Sequence, residues 1–398
     1  MTAEDGDLLG PAPADAVFDL MVDVRRELHR HPELSMEEHA TTALIRDHMG
    51  TLGMDERLAS DVTGGIYVME GGRPGRSVVL RADIDGLPVQ EDTTRAYHSE
   101  VEGVMHACGH DVHVAALLGT ASVLGARRED LPGRYVFVFQ PGEESLNGAQ
   151  AMIDAGALDH MKGARLVGFH VASMLPTGMV AMRAGTAMSE AHSLRISLHG
   201  PGGHGAMPSA KGDVIRATAD LVSRLGGVAE GLRYEQTDCV CSAGTVHAGT
   251  AVNVVPSSAV VTGTLRTFTG EQREEALGRL RALCASVAED LGVAVDLELP
   301  AHTSAVVNDA DVTELIRHEA VAALGDEHLV LSLPPVAPSD DVSEFLLHLP
   351  GCYFFVGGAA ADGSSGTHHS PSFFVEDGAL RVGTNVMARS ALALARPQ

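Results

Sequence analysis

Apolar residues along the chain first recur with the period of a helix and then form short runs. Between residues 15 and 30, one face of a predicted amphipathic helix carries Val17, Leu20, Met21, Val24 and Leu28. Four apolar segments have the length of buried strands: Ser77–Leu80, Tyr135–Phe139, Leu166–Phe169 and Cys352–Val356. Helical stretches such as Val112–Leu124 separate them. This alternation predicts an α/β domain with a largely parallel sheet.

The middle third of the chain has a different pattern. Leu194, Ile196 and Leu198 alternate with polar residues, as in a half-buried strand. The segments that follow predict a helix, two strands, a long helix and a last strand: Val214–Val228, Cys239–Val246, Ala259–Phe268, Gln272–Leu291 and Val293–Leu299. The order βαββαβ is that of the ferredoxin-like split motif.

The length of the chain also favours two domains. A chain of 398 residues exceeds what one hydrophobic core usually serves. Since the segments after Pro300 again alternate between strand and helix, the simplest topology is an inserted lid. We expect a catalytic domain of residues 1–184 and 301–398, with a ferredoxin-like lid of residues 185–300.

Charge and composition exclude some classes of partner. The chain has 28 Lys plus Arg against 53 Asp plus Glu, a formal net charge of -25 at pH 7. Such a charge repels phosphate backbones and anionic membranes, so neither a nucleic acid nor a membrane is expected as a partner. The first residues, MTAEDGDLLGPAPADAV, lack the basic and apolar regions of a secretory signal. We therefore expect a cytoplasmic protein.

The densest chemical signal is MHACGHDVH, in which Cys108 and His110 flank a glycine. A tight loop of this kind can direct a thiol and an imidazole at one ion, and this pair suits zinc or another first-row divalent metal. The alternative is a buried free cysteine beside surface histidines. Ligand-type residues at other strand ends favour the metal, and the five scattered cysteines without a CxxC pair argue against disulfides.

Further candidate ligands follow other apolar runs. Glu143 and Glu144 lie in FQPGEES after a strand, where one carboxylate could act as a general base and the other as a metal ligand. The alternative is a solvated loop pair. His170 ends LVGFH, and His369 lies in GTHHSP.

Together these residues suffice for two metal ions. With Cys108, His110 and Glu144, the two histidines make five candidate protein ligands, enough for ions about 3.5 to 4 Å apart. His368 is the adjacent alternative to His369. Zn, Mn, Co and Ni all suit such ligands.

The sequence resembles the M20 metallopeptidase clan, and within it the aminoacylase, hippurate-hydrolase and auxin-conjugate-hydrolase amidohydrolases. The resemblance covers nearly the whole chain and includes the His170 strand end. The other matching motifs are LHRHPELSMEE (Leu28–Glu38), LRADIDGLPVQE (Leu80–Glu91), HACGHDVH (His106–His113), FQPGEES (Phe139–Ser145), GPGGHGAMP (Gly200–Pro208), NVVP (Asn253–Pro256), GTLRTF (Gly263–Phe268), SDDVSEF (Ser339–Phe345) and HHSP (His368–Pro371).

The resemblance implies roles for the residues of the catalytic domain. Glu143 would be the general base, while Asp83 and Asp85 would orient metal ligands. The two divalent ions would be bound by Cys108, which would bridge them, and by His110, Glu144, His170 and His369.

In the lid, the resemblance implies contacts with substrate and with a second subunit. His204 would stabilise the oxyanion, in its own or a partner's site, and Asn253 and Arg266 would bind the substrate carboxylate. From the residues alone, Arg266 is typical of a surface position on an edge strand. The lid would also make the protein a homodimer or a higher homo-oligomer.

The expected activity is metal-dependent hydrolysis of N-acyl amino acids. A dipeptidase or carboxypeptidase is the alternative enzyme, and a ligand-binding relative without catalysis is the third interpretation. Departures from the family's usual residues at Gly142, Ala172 and Ser209–Val214 affect the shape of the pocket, so they bear on the choice of substrate.

Overall fold

A computed structural model describes most of the chain. Pro208, the last residue of the Gly200–Pro208 motif, lies outside the described residues, as do Ala210 and the acidic start of the N-terminal segment. No helix among the described residues is long and apolar enough to cross a membrane. The described residues are 8–10, 12–58, 62–92, 97–207, 209, 211–331 and 333–397.

The described residues form nine α-helices and eighteen strands, with short 3-10 helices between them. The helices are α1 (Phe18–Arg30), α2 (His39–Thr51), α3 (His110–Gly125), α4 (Gly148–Asp154), α5 (Val214–Leu225), α6 (Gly270–Leu291), α7 (Ala310–Leu324), α8 (Val342–Leu346) and α9 (Gly378–Ala395).

The strands are β1 (Gly65–Glu70), β2 (Arg73–Asp83), β3 (Pro132–Gln140), β4 (Arg165–Pro176), β5 (Val180–Ala181), β6 (Gly185–Met188), β7 (Glu190–His199), β8 (Gly203–His204), β9 (Arg233–Tyr234), β10 (Thr237–Asp238), β11 (Val240–Ala248), β12 (Val254–Val255), β13 (Ser258–Thr267), β14 (Ala294–Glu298), β15 (His302–Thr303), β16 (Val306–Asn308), β17 (Leu329–Val330) and β18 (Gly351–Ala359).

The chain divides into two compact units. The first unit comprises Met1–Gly185, Val307–Leu333 and Asp341–Gln398, and the second comprises Thr186–Val306 and Pro334–Asp340. The expected domain limits assign residues 301–306 and 334–340 to the catalytic domain, whereas these residues pack within the second unit.

The first unit is built on a seven-stranded sheet with the order β1-β3-β2-β4-β18-β5-β17. Neighbours among β3, β2, β4 and β18 run parallel, and β1 lies antiparallel at the edge. Val78, Val79 and Leu80 in β2 are all fully buried. Such consecutive apolar residues are typical of a strand that is covered on both faces.

The carboxyl ends of the parallel strands lie at one edge of this sheet. β2 and β3 end together, at the paired residues Asp83 and Gln140. β4 continues beyond Gly168, its last residue that pairs with β2, because β18 still pairs with it on the other side. The apolar run predicts that His170 ends the strand, but His170 lies within β4 and pairs with Phe355. It nevertheless lies two residues beyond Gly168, the last residue of β4 that pairs with β2.

The second unit has a five-stranded antiparallel sheet with the order β11-β13-β7-β14, in which β15 also pairs with β7. Its main elements follow in the chain as β7, α5, β11, β13, α6 and β14. Leu194, Ile196 and Leu198 of β7 are buried beside the two helices, in agreement with their alternation. Side chains of Asp213 and Thr269 cap the first turns of α5 and α6 and so fix where each helix begins.

Candidate metal centre

Three loops at the carboxyl edge of the sheet carry the candidate ligands. The connection from β2 leads through Cys108 to His110 at the start of α3, the loop after β3 contains Glu144, and the loop between β18 and α9 contains His369, whereas His170 lies in β4 itself. Gly109 immediately precedes α3 with a φ of 93°, and a Cβ at this position would lie 2.4 Å from Cγ1 of Val171. A glycine is therefore required between Cys108 and His110, because any other side chain would be strained and would clash.

The structure brings the six residues predicted as ligands and base close together. Sγ of Cys108 lies 3.4 Å from Nε2 of His170, and Nε2 of His369 lies 3.4 Å from Oε1 of Glu144. Nε2 of His110 lies 3.9 Å from a carboxylate oxygen of Glu143 and 3.9 Å from one of Glu144. Candidate ligand atoms lie within 4.8 Å of one another in three overlapping groups: Cys108, His110 and His170; Cys108, Glu144 and His369; His110, Glu143 and Glu144.

Hydrogen bonds to carbonyl groups fix the tautomers of two histidines. Nδ1 of His110 donates to the carbonyl oxygen of Asp85 at 2.9 Å, and Nδ1 of His170 donates to that of Val171 at 2.7 Å. Since a carbonyl only accepts, the proton of each neutral imidazole lies on Nδ1. Nε2 of each ring is then available as a metal ligand.

Carboxylates around His110 favour a positive charge there. Burial alone would lower the pKa of His110, but Asp83 and Asp85 outweigh it and raise the pKa to about 10. Nδ1 of His110 also lies 3.1 Å from Oδ1 of Asp85. Either a proton or a metal ion can supply the positive charge.

The surroundings of Cys108 oppose a thiolate unless a cation is bound. Burial raises the pKa of the Cys108 thiol well above its usual value, and the nearby Glu144 and Glu143 raise it further. Burial also lowers the pKa of His170 well below its usual value, which favours a neutral imidazole. A divalent ion would hold the thiol deprotonated and bind the neutral imidazole.

Unpartnered buried atoms indicate where a cation fits. Nε2 of His110 and Oε1 of Glu144 are buried and have no hydrogen-bond partner among the described residues. Leaving such atoms unpaired costs about 1–3 kcal/mol each. A cation among these donors would satisfy both atoms, so the residues present fit a metal ion.

Asp85, for which the resemblance implies a role in orienting ligands, has contacts in more than one loop. Besides contacting His110, it accepts hydrogen bonds from Oγ of Ser35 at 2.6 Å and from the backbone N–H of Glu144 at 3.0 Å. The carboxylate thus connects two of the three loops.

Asp83 forms a buried pair with a histidine that sequence reasoning left out of the site. Nδ1 of His113 donates to Oδ1 of Asp83 at 2.5 Å, and Nε2 of His113 accepts from the backbone N–H of Val171 at 2.9 Å. His113 therefore links β2, α3 and β4 directly beside His170. The sequence feature that could have indicated this role is the position of His113 three residues after His110, on the same helix.

A buried polar network supports the same edge of the sheet. Nη1 of Arg81 donates to Asp83 at 2.7 Å, and Nη2 of Arg81 contacts Asp341 at 3.3 Å. Asp341 also accepts from the side chain of Gln140 at 2.5 Å. Arg81, Gln140 and Asp341 lie in motifs that resemble the family, but the sequence indicates no role for these three residues.

The adjacent histidines His368 and His369 have different contacts. Nε2 of His368 accepts from the backbone N–H of Ser173 at 3.2 Å, so the proton of the neutral ring lies on Nδ1, 3.7 Å from Sγ of Cys108. Burial lowers the pKa of His368 to about 4, which favours this neutral form. His369 instead directs Nε2 at Glu144. The contacts thus favour His369 as a ligand and His368 as a donor to sulfur.

The three predicted lid residues belong to the second unit. The strand pair β8 and β12 brings His204 opposite Val254, beside Asn253, and both His204 and Asn253 are exposed. Arg266 is half-buried in β13, where its Nη1 donates to Oγ of Ser339 at 2.7 Å.

The chain is similar to known proteins over nearly its whole length. Residues 79–393 match the model of peptidase family M20/M25/M40. The chain is 34% identical to thermostable carboxypeptidase 1 of Saccharolobus solfataricus, covering 95% of each chain, and 33% identical to N-acetylcysteine deacetylase of Bacillus subtilis, covering 95% of this chain and 98% of that protein. A solved Bacillus subtilis structure, described as a dinuclear metal binding peptidase from the M20 family, is 30% identical and matches with a TM-score of 0.77 over 95% of this chain and 98% of that chain.

Proposed function

Because the chain belongs to peptidase family M20/M25/M40 and is a hydrolase, we propose that it cleaves the amide bond of N-acyl amino acids, releasing a carboxylic acid and a free amino acid. The observation that carries this proposal is the cluster of thiol, imidazole and carboxylate groups around Cys108. The resemblance associates a cysteine at this position with the acyl-amino-acid branch. The 33% identity to an N-acetylcysteine deacetylase supports the same choice.

Two divalent metal ions would be bound in this cluster. Cys108, His110, Glu144, His170 and His369 would hold these ions. When bound, such ions polarise a carbonyl oxygen and lower the pKa of water. The native ion is Zn, Mn, Co or Ni, each of which suits these donors.

Glu143 acts as the general base in this proposal. Its carboxylate takes a proton from a water molecule, whose oxygen attacks the acyl carbon. The bond between this carbon and nitrogen then breaks, and Glu143 returns the proton to the leaving amine. No covalent bond to the protein is formed. The position of Glu143, buried near His110, supports this role because its carboxylate is held beside the ligands.

Residues of the second unit would bind the rest of the substrate. His204 would donate a hydrogen bond to the developing oxyanion, from the same chain or from a partner. Asn253 and Arg266 would bind the carboxylate of the amino acid, since the guanidinium group is a strong carboxylate donor. In this interpretation the second unit is a ferredoxin-like lid that also forms a homodimer. A cytoplasmic location stays a prediction from the sequence.

Peptide hydrolysis is the second candidate function. The 34% identity to a thermostable carboxypeptidase favours it, because a peptide with a free carboxyl end also presents an amide next to a carboxylate. A panel of N-acyl amino acids and dipeptides distinguishes the two functions. The purified protein is loaded separately with manganese, cobalt, nickel or zinc, beside a chelated control, and release of free amino acid is measured.

The proposed function predicts metal-dependent release from acyl amino acids. Cleavage of dipeptides alone would replace it with the peptidase function. A metal-loaded protein that cleaves neither class would contradict both activities and favour a ligand-binding relative.

A further inference from the structure

A second group of metal-type ligands lies in the second unit, apart from the candidate metal centre. Glu190 and His192 are two residues apart in β7, so their side chains lie on the same face of the sheet. In β15, His302 pairs directly with His192. Residues that face each other across an antiparallel pair have side chains close enough to share one ligand.

The donor atoms of these three residues lie close together. Side-chain donors of Glu190, His192 and His302 all lie within 4.8 Å of one another. Nε2 of His302 is 3.8 Å from Oε2 of Glu190, and the two imidazole ring centres are 4.3 Å apart. The 3.8 Å distance between His302 and Glu190 is too long for a direct hydrogen bond. It suits two ligand atoms that lie on either side of a metal ion.

His192 provides an independent indication of a ligand. Only 7% of its surface is exposed, and neither ring nitrogen has a hydrogen-bond partner among the described residues. Buried polar atoms are normally paired, since each unpaired one carries a desolvation cost. The ring lies against His302, whose side chain is 38% exposed and offers a route from solvent.

Glu190 is held in place by two neighbours. Oγ1 of Thr267 donates to its Oε1, and Nη1 of Arg273 lies 3.1 Å from its Oε2. Arg273 therefore competes with a metal ion for the same carboxylate oxygen. Its side chain is one-third exposed, so it can move away when an ion binds.

We propose that Glu190, His192 and His302 form a third divalent metal site, suited to zinc and independent of hydrolysis. Two imidazoles and one carboxylate, with water as a fourth ligand, are a known zinc-binding combination. Because a bound ion would join β7 to β15, its role in the fold would be to fix the segment at residues 302–303 against the sheet. Metal binding at this site does not depend on the proposed amidohydrolase activity.

Counting bound zinc tests this site. Full-length protein and variants are equilibrated with the same zinc-buffered solution, and zinc per chain is measured by mass spectrometry. His302→Ala and Glu190→Gln should each bind one ion fewer than the unchanged protein, because losing a direct ligand should weaken affinity by at least about 100-fold. His199→Ala is the matched control, since His199 is an exposed histidine of the same strand.

The outcomes separate this site from the catalytic one. Hydrolysis by His302→Ala should be unchanged, so a lower zinc count with normal activity supports the proposal. Equal zinc counts in the unchanged protein, His302→Ala and Glu190→Gln would overturn it, whether or not the protein hydrolyses acyl amino acids. Arg273→Ala gives an opposite readout: it should tighten zinc binding by removing the competing cation, and unchanged or weaker binding would count against the site.

Discussion

Glu143 and Glu144 are neighbours in sequence but have different contacts. Both carboxylates lie 3.9 Å from Nε2 of His110, but Oε1 of Glu144 also lies 3.4 Å from Nε2 of His369, and the backbone N–H of Glu144 donates to Asp85. We expect Glu143→Ala to lose about 10² to 10⁴ in kcat while keeping its metal, the usual contribution of a positioned base. Steady-state kinetics and metal content measured on the same sample test this.

Glu144→Ala is the matched control for Glu143→Ala. Since Glu144 is a proposed ligand, its loss should reduce the metal content together with activity. Near-normal turnover by Glu143→Ala would remove Glu143 from the role of base, and full metal content in Glu144→Ala would remove Glu144 from the ligand set.

The contacts of His29 predict how stability depends on pH. Its ring nitrogens lie 3.0 Å from Asp111 and 3.1 Å from Glu91. Burial would lower the pKa of His29, but these carboxylates outweigh it and raise the pKa to about 9. A raised pKa stabilises the folded state fully below the unfolded value of about 6.5, and this stabilisation, roughly 3 kcal/mol, is lost as pH rises through 9.

Urea unfolding of metal-free protein between pH 6 and 10 tests this contribution. The free energy of unfolding should fall toward alkaline pH in the unchanged protein, and the fall should be smaller in His29→Gln, which cannot carry the charge. Parallel pH curves for the two proteins would show that His29 is not the group responsible.

The sequence indicates candidate ligands but not every residue that contacts them. Cys108 and His110 are recognisable because two ligand types flank a glycine within one short loop. His113 binds Asp83, 30 residues earlier, and Val171, 58 residues later. Such contacts depend on strand order and register, which a single sequence does not reveal. The contact of a neutral His368 with the sulfur of Cys108 also could not be predicted, because it too joins residues that are far apart in the sequence.

The loop before α3 is the element on which the candidate metal centre depends most. Gly109 combines a φ of 93° with a Cβ position 2.4 Å from Val171. We expect Gly109→Ala to lower the free energy of unfolding by about 2–4 kcal/mol, the sum of left-handed strain and overpacking. It should also weaken metal binding, because Cys108 and His110 flank the displaced residue. Urea unfolding and metal titration measure the two effects.

Gly156 provides the control for Gly109. Its φ of 95° is similar, but a Cβ there would have no atom within 4 Å. Gly156→Ala should therefore lose only the strain contribution, about 1–2 kcal/mol, and keep its metal affinity. Equal effects of the two substitutions would show that crowding against Val171 is unimportant.

Elements were predictable where burial produced a clear pattern. The runs at Ser77–Leu80 and Tyr135–Phe139 lie within β2 and β3, which are covered on both faces. The sequence did not indicate β5, because two residues are too few for a period and its pairing with β18 and β17 forms only in the folded sheet. The full length of β4 was missed since its last residues pair only with β18, far along the chain.

At the scale of the whole molecule, the second unit offers a surface for the proposed dimer. β11 lies at the end of its five-stranded sheet, with β13 on one side only. An edge strand presents backbone donors and acceptors that a second copy can pair with. Val246, an apolar residue of this strand, is 48% exposed, which is consistent with a partner covering it.

Val246→Lys should therefore shift the protein from dimer to monomer. Lysine on an edge strand opposes pairing because its charge would have to be buried or lie beside the same charge on the partner. Light scattering after gel filtration should give half the mass found for the unchanged protein. Leu299→Lys is the control, since Leu299 follows β14 at the opposite edge of the sheet and is 37% exposed. It should leave the mass unchanged.

If His204 acts in the partner's site, the monomeric variant should also lose hydrolysis while keeping its metal, whereas full activity in the monomer would place His204 in its own site.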